Sequence, residues 1–489
     1  MNQPRLDRRT LLLAGAGTVA LAPLMSFEPA SAAQRSQTKV FRGHFRDPNG
    51  PDWVYLPVQV PKGVREIEVS YDYKPQDTGV GISYNVVDIG IFDPSGTALG
   101  DAAGFRGWSG GARRSFRISR TSATPGYLAG PITPGRWHVA LGPYQIVGGG
   151  TPYAVRVTLH YGRPGRAFEP DPAPLSVPGR GEGWYRGDLH IHTVYSDGSQ
   201  TPAQVLDFAT ANGLDFIGTS EHNTDSATRV WGRYLAGKHK DFLVISGEEV
   251  TTRAGHWVAT GIPAGTWIDW RYRPEDDELS RFTAQVRRLG GLSIAAHPYQ
   301  FGGGITWEFG YDYGDVDAVE VWNGPWSGLT GLANEKAVAG WHQLLTDGVF
   351  KPAVGNSDSH HPTQAIGTGQ SVVHAERLAT DALIDAYRGG HCWVTGSSAV
   401  QLDFTATLAD VVARCGDHLP TPSGQSADVR LDASGVPAGS VRRCSGRAPR
   451  PTGPRRRTPP GRWRSRHRWR AGRRSCAPRS GTRAARWSR

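Results

Sequence analysis

Sulfur is scarce in this chain, with two Met and four Cys in 489 residues. Cys444 and Cys476 lie in the stretch 441–489, leaving Cys392 and Cys415 for everything before it. Two cysteines are too few for a disulfide framework, although one bridge between them stays open outside the cytoplasm. No run of eighteen apolar residues follows the N-terminal segment, so no membrane-spanning helix is expected. Residues 441–489 lack Lys, Asp and Glu and hold eighteen Arg. Taking those charges from the net +11 leaves −7 on the rest. The high overall pI is therefore no argument for a specific nucleic-acid partner.

Gly and Pro are plentiful, at 63 and 35 residues. Asp7-Arg8-Arg9-Thr10, the apolar stretch 11–25 and Ala30-Ser31-Ala32 form a basic, an apolar and a small-residue region. That pattern predicts a signal peptide over 1–33 that looks like a twin-arginine export signal, with the twin-arginine machinery as partner and an extracellular or envelope destination. Short period-2 segments such as 64–73, 86–92 and 153–161 predict an all-β sandwich over 38–162. Residues 163–183 read as a Pro/Gly/Arg linker. Over 184–398 apolar strands alternate with amphipathic helices, including 202–212, 275–289, 333–345 and 379–387. Such alternation predicts an α/β barrel with its chemistry at the C-terminal strand ends. Residues 399–440 read as a partial β segment. The Arg-rich 441–489 reads as a disordered tail, with the composition of a shifted GC-rich reading frame.

The densest chemistry is Gly187-Asp188-Leu189-His190-Ile191-His192, followed by Ser196-Asp197-Gly198. On a strand, His190 and His192 would share a face and could hold one divalent metal. Later strand ends add Glu221-His222, Gly247-Glu248-Glu249 with His256 beyond, His297-Pro298, and Asn356-Ser357-Asp358-Ser359-His360. Converging strand ends would bring these ligand types to one mouth.

This order and spacing resemble the PHP (polymerase and histidinol phosphatase) superfamily, notably its carbaryl-hydrolase-like branch of metallohydrolases. The resemblance implies a distorted (β/α)7 barrel over about 184–398 with two or three divalent ions, often zinc, manganese or iron. It places His190, His192, Glu249 and Asp358 on a first metal. Glu249 would bridge to a second metal held by His256 and His297. Asp197, His222 and His360 would take a third, although Asp197 stands where relatives often carry His. Glu249, His297, Asp358 and His192 are the residues expected to carry catalysis. Two cations sharing a carboxylate also share a water and make it hydroxide at neutral pH.

The expected reaction is phosphoester hydrolysis of a small molecule. A carbamate, ester or amide hydrolase acting on an aromatic compound is the alternative, favoured by the many Trp near the motifs. A glycan- or surface-binding protein with a structural metal is the reading from another class. Nine ligands for two or three ions leave positions open, which argues for catalysis. Asn323 and Arg229 are the candidate substrate contacts; Glu320, beside Asn323, is equally well read as structural. No oligomeric state follows from the sequence.

Overall fold

The computed structural model describes residues 36–46, 50–74, 84–147, 149–302, 304–422, 424–437 and 462–470. The expected signal peptide and most of 441–489 lie outside these residues.

Eight strands come first: β1 (Ser36–Phe45), β2 (Val54–Val60), β3 (Val64–Tyr73), β4 (Val86–Phe92), β5 (Phe105–Trp108), β6 (Ser115–Ser119), β7 (Gly135–Gln145) and β8 (Thr151–Tyr161). They form two antiparallel four-stranded sheets, ordered β1-β8-β3-β6 and β2-β7-β4-β5. Strand β3 shows why the sheets stack. Ile67, Val69, Tyr71 and Tyr73 are buried, while the alternating Glu66, Glu68, Ser70 and Asp72 are less so. The buried set joins Val87, Ile89, Ile91, Val139 and Leu141 in one core. Strand β4 departs from alternation and is buried almost throughout. Its second face is covered as well: Phe92, Phe105, Trp108 and Ala140 share a core with Trp257, Trp267, Ile268 and Trp270 from the following module. A strand covered on both faces loses its polar face.

The next module runs β9 (Gly183–Asp188), α1 (Pro202–Ala211), β10 (Phe216–Gly218), β11 (Leu243–Ile245), β12 (Gly247–Thr252), β13 (Gly255–Thr260), α2 (Leu279–Arg288), β14 (Leu292–Ala295), β15 (Ala318–Asn323), α3 (Gly328–Asp347), β16 (Ala353–Asn356), β17 (Gln370–Ala375), α4 (Thr380–Gly389) and β18 (Cys392–Thr395). Helix α1 starts where the sequence places a cap: Thr201 and Gln204 form a capping box and Pro202 opens the first turn. Helix α2 starts at Leu279 rather than 275, because residues Pro274–Asp276 form a 3-10 turn.

The closed (β/α)7 barrel is not what forms. The strands make two five-stranded sheets, ordered β11-β10-β9-β17-β18 and β12-β13-β14-β15-β16. Only β9, β10 and β11 in the first, and β14, β15 and β16 in the second, run parallel. Strands β12, β13, β17 and β18 pair antiparallel. A parallel crossover needs a dozen or more residues, usually helical, whereas the three-residue step from β12 to β13 permits only a hairpin. The two sheets meet at isolated bridges, Ile191 with Ser359 and His222 with Glu249. Both bridges fall among the candidate ligands.

Strands β19 (Gln401–Leu408), β20 (Val411–Ala413), β21 (Ser426–Ser434) and β22 (Arg462–Arg470) form a last sheet, ordered β20-β19-β21-β22. Residues 462–470, the described part of 441–489, pair antiparallel with β21. Arg alternates there with Trp463, Ser465, His467 and Trp469, a period of two that suits a strand. Among the described residues no helix is long and apolar enough to cross a membrane.

Candidate metal centre

The nine candidate ligands come together where the two sheets meet. Strand β9 ends at Asp188, so His190 and His192 sit just past it rather than on it. The segment is held extended by His192 N–H donating to Ser359 (3.0 Å) and Asp358 N–H donating to the His190 carbonyl (2.9 Å). Those two bonds tie the first pair of imidazoles to Asp358 across 166 residues of chain. Gly198 lets the following loop fold back: a Cβ there would lie 2.5 Å from the His192 backbone. His222 and Glu249 are joined by the second bridge, with Asn223 N–H on the Glu249 carbonyl at 3.0 Å.

Glu249 is the hub. Its carboxylate lies 3.4 Å from His190 Nε2, 3.4 Å from His192 Nε2, 2.8 Å from His222 Nδ1, 3.0 Å from His256 Nδ1 and 3.3 Å from His297 Nε2. Asp358 Oδ1 lies 3.1 Å from His192 Nε2 and 3.4 Å from His190 Nε2. Asp197 Oδ1 lies 3.5 Å from His222 Nε2 and 3.4 Å from His360 Nε2. The donors fall into four overlapping groups: His192, Asp197, His222 and His360; His190, His192 and Glu249; His190, His297 and Asp358; Glu249, His256 and His297. The first group is the outer one, with the Asp197 side chain 42% exposed, whereas His190 and His192 are fully buried.

Imidazoles and carboxylates in the cluster shift one another strongly. Burial works against charge on Glu249 and Asp358, yet the surrounding histidines hold both carboxyls well below the usual range. Burial, with His360 and His222 stacked on it, drops the His192 imidazole to about 3. His222 goes the other way, up to about 10, because Glu249 and Asp197 outweigh its burial. Nε2 of His256 and Nδ1 of His297 are buried with no hydrogen-bond partner, as are Nε2 of His190 and His192, which face carboxylates at ion-pair distance only. Buried orphaned imidazole nitrogens are costly, and a metal ion satisfies them. His297 and Asp358 also take left-handed backbone, with φ of 29° and 50°. Non-glycine residues adopt it at a cost of roughly 1–2 kcal/mol, and such strain gathers at functional sites. The residue types and the orphaned atoms fit a site for divalent metals.

Three buried carboxylates support this set, and their roles were barely legible in the sequence. Glu320 on β15 accepts from His190 Nδ1 (3.2 Å) and Asn356 Nδ2 (2.8 Å) on one oxygen. Its other oxygen accepts from His297 N–H (2.7 Å) and Asn323 Nδ2 (3.0 Å). It therefore fixes which His190 nitrogen faces Glu249. Asp188 accepts N–H bonds from His190, Ser357 and Gly367 at 2.9–3.2 Å, and burial lifts its carboxyl to about 6. Glu221 accepts from Thr193 and Ser196, bracing the His192 loop. Asp188 and Glu221 lie two and one residues from a ligand candidate, whereas Glu320 sits on β15 far from any in sequence.

The two expected substrate contacts have protein partners. Arg229 pairs with the buried Asp225 (2.6 Å). Asn323 donates to Glu320 and to Asp358 Oδ2 (3.2 Å) and accepts from Gln300 (2.7 Å), so it positions Asp358. Glu248, on the opposite face of β12 from Glu249, accepts from Ile268 N–H. His361 contacts Ser199 and joins no donor group.

No family model and no curated protein matches the chain. Several solved structures resemble it, three of them as follows. A two-domain protein from Bacteroides vulgatus, containing a predicted PHP-like metal-dependent phosphoesterase, is 16% identical over 63% of this chain and 92% of its own, with a TM-score of 0.33. An amidohydrolase from Chromobacterium violaceum, with sulfate bound and no metal, is 18% identical over 37% and 89%, with a TM-score of 0.28. A proposed metal-dependent phosphoesterase from Bifidobacterium adolescentis is 18% identical over 43% and 96%, with a TM-score of 0.29. Identities and scores this low leave the chemistry of the site to its own residues.

Proposed function

We propose that this chain is a metal-dependent hydrolase of phosphoesters, of the PHP type and within it the carbaryl-hydrolase-like branch. The observation that carries the reading is Glu249, one buried carboxylate within 3.4 Å of five imidazoles and shared by two donor groups. A carboxylate so placed would help hold more than one cation, and zinc, manganese and iron all accept this imidazole and carboxylate set. Two or three such ions, when bound, acidify water and polarise a substrate oxygen.

The protein residues do the rest. Glu249 and Asp358 would offset the positive charge, and His190, His192, His256 and His297 present ring nitrogens toward the cluster. Glu320 and Asn323 lock the orientation of His190 and Asp358, so little reorganisation accompanies reaction. The outer group of Asp197, His222 and His360 is open to solvent, where a substrate can enter. We read the chain as exported, with residues 1–33 as the signal, 38–162 as the sandwich and 184–398 as the hydrolase module.

The test is metal analysis of the purified full chain together with turnover of p-nitrophenyl phosphate, its diester and an aryl carbamate after loading with Zn, Mn or Fe. Hydrolysis of a phosphoester that disappears in Glu249→Ala is the expected result. Cleavage of the carbamate alone would move the reading to carbamate hydrolysis. A chain carrying its full metal complement that turns over none of the three would refute it.

A further inference from the structure

One buried carboxylate on the sandwich has no structural partner. Asp88 on β4 pairs with Gly142 of β7, on the sheet whose second face packs against the hydrolase module. It shares that face with Gly90 and Phe92, two and four residues on. Its exposure is 9%, and among the described residues no group hydrogen-bonds or ion-pairs with its carboxylate. A carboxylate left with little solvent contact and no protein partner is costly to fold, and the opening at its oxygens leaves room for a ligand group.

Asp88 is within electrostatic reach of His222, a candidate ligand, and of Arg253 at the β12–β13 hairpin tip. Arg253 is already taken by Asp52 at 3.0 Å and stands over the rings of Trp53 and Tyr144 at 4.9 and 5.9 Å. Gly110 and Gly111 flank Asp88 Oδ1 without side chains; a Cβ on either would sit 3.7 Å from that oxygen. The same side of the sandwich touches the ligand loops twice more. Arg113 donates to the Val194 carbonyl, between His192 and Asp197, and Thr224, two residues past His222, donates to the Gly126 carbonyl at 2.9 Å. The sandwich is thus a wall of the outer metal group.

We propose that Asp88 is a substrate-recognition residue contributed by the sandwich, and that it hydrogen-bonds a hydroxyl group on the alcohol portion of the phosphoester. This rests on the hydrolase reading above. Arg253 nearby makes a second cation unwelcome, so a neutral hydroxyl suits the position better than an ammonium. Burial lifts the Asp88 carboxyl to about 7, and a hydroxyl can meet either of its protonation states by accepting or donating.

The probes are 2-hydroxyethylphosphonate and propylphosphonate, which match in size, differ by a hydroxyl for a methyl, and have no ester bond to cleave. Their binding to the metal-loaded full chain is measured by calorimetry. One hydrogen bond predicts about five- to tenfold tighter binding of the hydroxyethyl compound. In Asp88→Leu that margin should shrink to within about twofold, while metal content is unchanged and the Tm of the free chain rises by about 2–4 °C. Asp88→Ala repeats the comparison if the leucine fails to fold. Equal binding of both probes by the unaltered chain, or a margin that survives in the variant, would overturn the role of Asp88 and leave the hydrolase reading intact. A fall in Tm would assign Asp88 a structural role instead. If neither probe binds the metal-loaded chain, the phosphoester reading fails and this one falls with it.

Discussion

Replacing Glu320 by Gln tests whether the buried support of the metal cluster is electrostatic or merely steric. The side chain keeps its shape, but one acceptor oxygen becomes an NH2 donor. One carboxylate oxygen faces two donors, His190 Nδ1 and Asn356 Nδ2; the other faces His297 N–H and Asn323 Nδ2. Whichever way the amide turns, its NH2 points at two donors, so two hydrogen bonds to a charged acceptor are lost. At about 1.5–3 kcal/mol each, the cost is on the order of 3–6 kcal/mol before relaxation. The cheapest relaxation is for His190 to move its proton to Nε2, the nitrogen that faces Glu249 and Asp358, which removes it as a ligand. Metal affinity should therefore fall by roughly 10- to 100-fold, with activity falling in step at limiting metal and partly recovering at excess metal. Competition with a chromogenic chelator, beside kcat at several metal concentrations, reads both effects. If Glu320→Gln keeps its metal affinity within about twofold, Glu320 does not set the His190 tautomer and the support argument is wrong.

Three further outcomes follow from the same geometry. Asp197→Ala removes a carboxylate from the outer group only, so metal analysis should show one ion fewer per chain while the ions around Glu249 are retained; loss of all metal would contradict separate groups. Arg271→Ala strands the fully buried Asp269 and breaks contacts to Tyr55, Thr97 and Ala98 of the sandwich. It should cost about 3–5 kcal/mol in urea unfolding, and a loss under about 1 kcal/mol would show that the seam between modules is not held there. Asp88 predicts a pH dependence of stability. Its folded carboxyl is raised to about 7 above an ordinary unfolded value, so the folded state holds the extra proton and loses stability as pH rises between about 4 and 7. The Tm of Asp88→Asn relative to the unaltered chain should therefore climb across that window, and a flat difference would refute the burial of a charge.

Much of the site was written in the sequence, because metal ligands are few residue types and each candidate sits just beyond an apolar strand-like run. His190, His192, Glu249 and Asp358 stood out together, as a set whose order and spacing resemble a known superfamily. Their supports did not. A buried Glu320 or Asp188 reads like any acidic residue until the donors facing it are known, and those donors come from β9, β14, β15 and β16. The partners of Asn323 and Arg229 were hidden for the same reason: a polar side chain can meet a substrate or a neighbour, and only packing shows which neighbours lie within reach.

Local sequence settled what local physics controls: the capped start of α1, the inward alternation of β3, and the ligand types at the strand ends. Tertiary structure alone decided that the strands form two meeting sheets with antiparallel members instead of a closed ring, since strand partners are chosen by non-local burial and connection length. It also decided that the sandwich turns a second apolar face onto the following module and sets Asp88 within electrostatic reach of the candidate ligand His222. Nothing within a few residues of Asp88 encodes that neighbour.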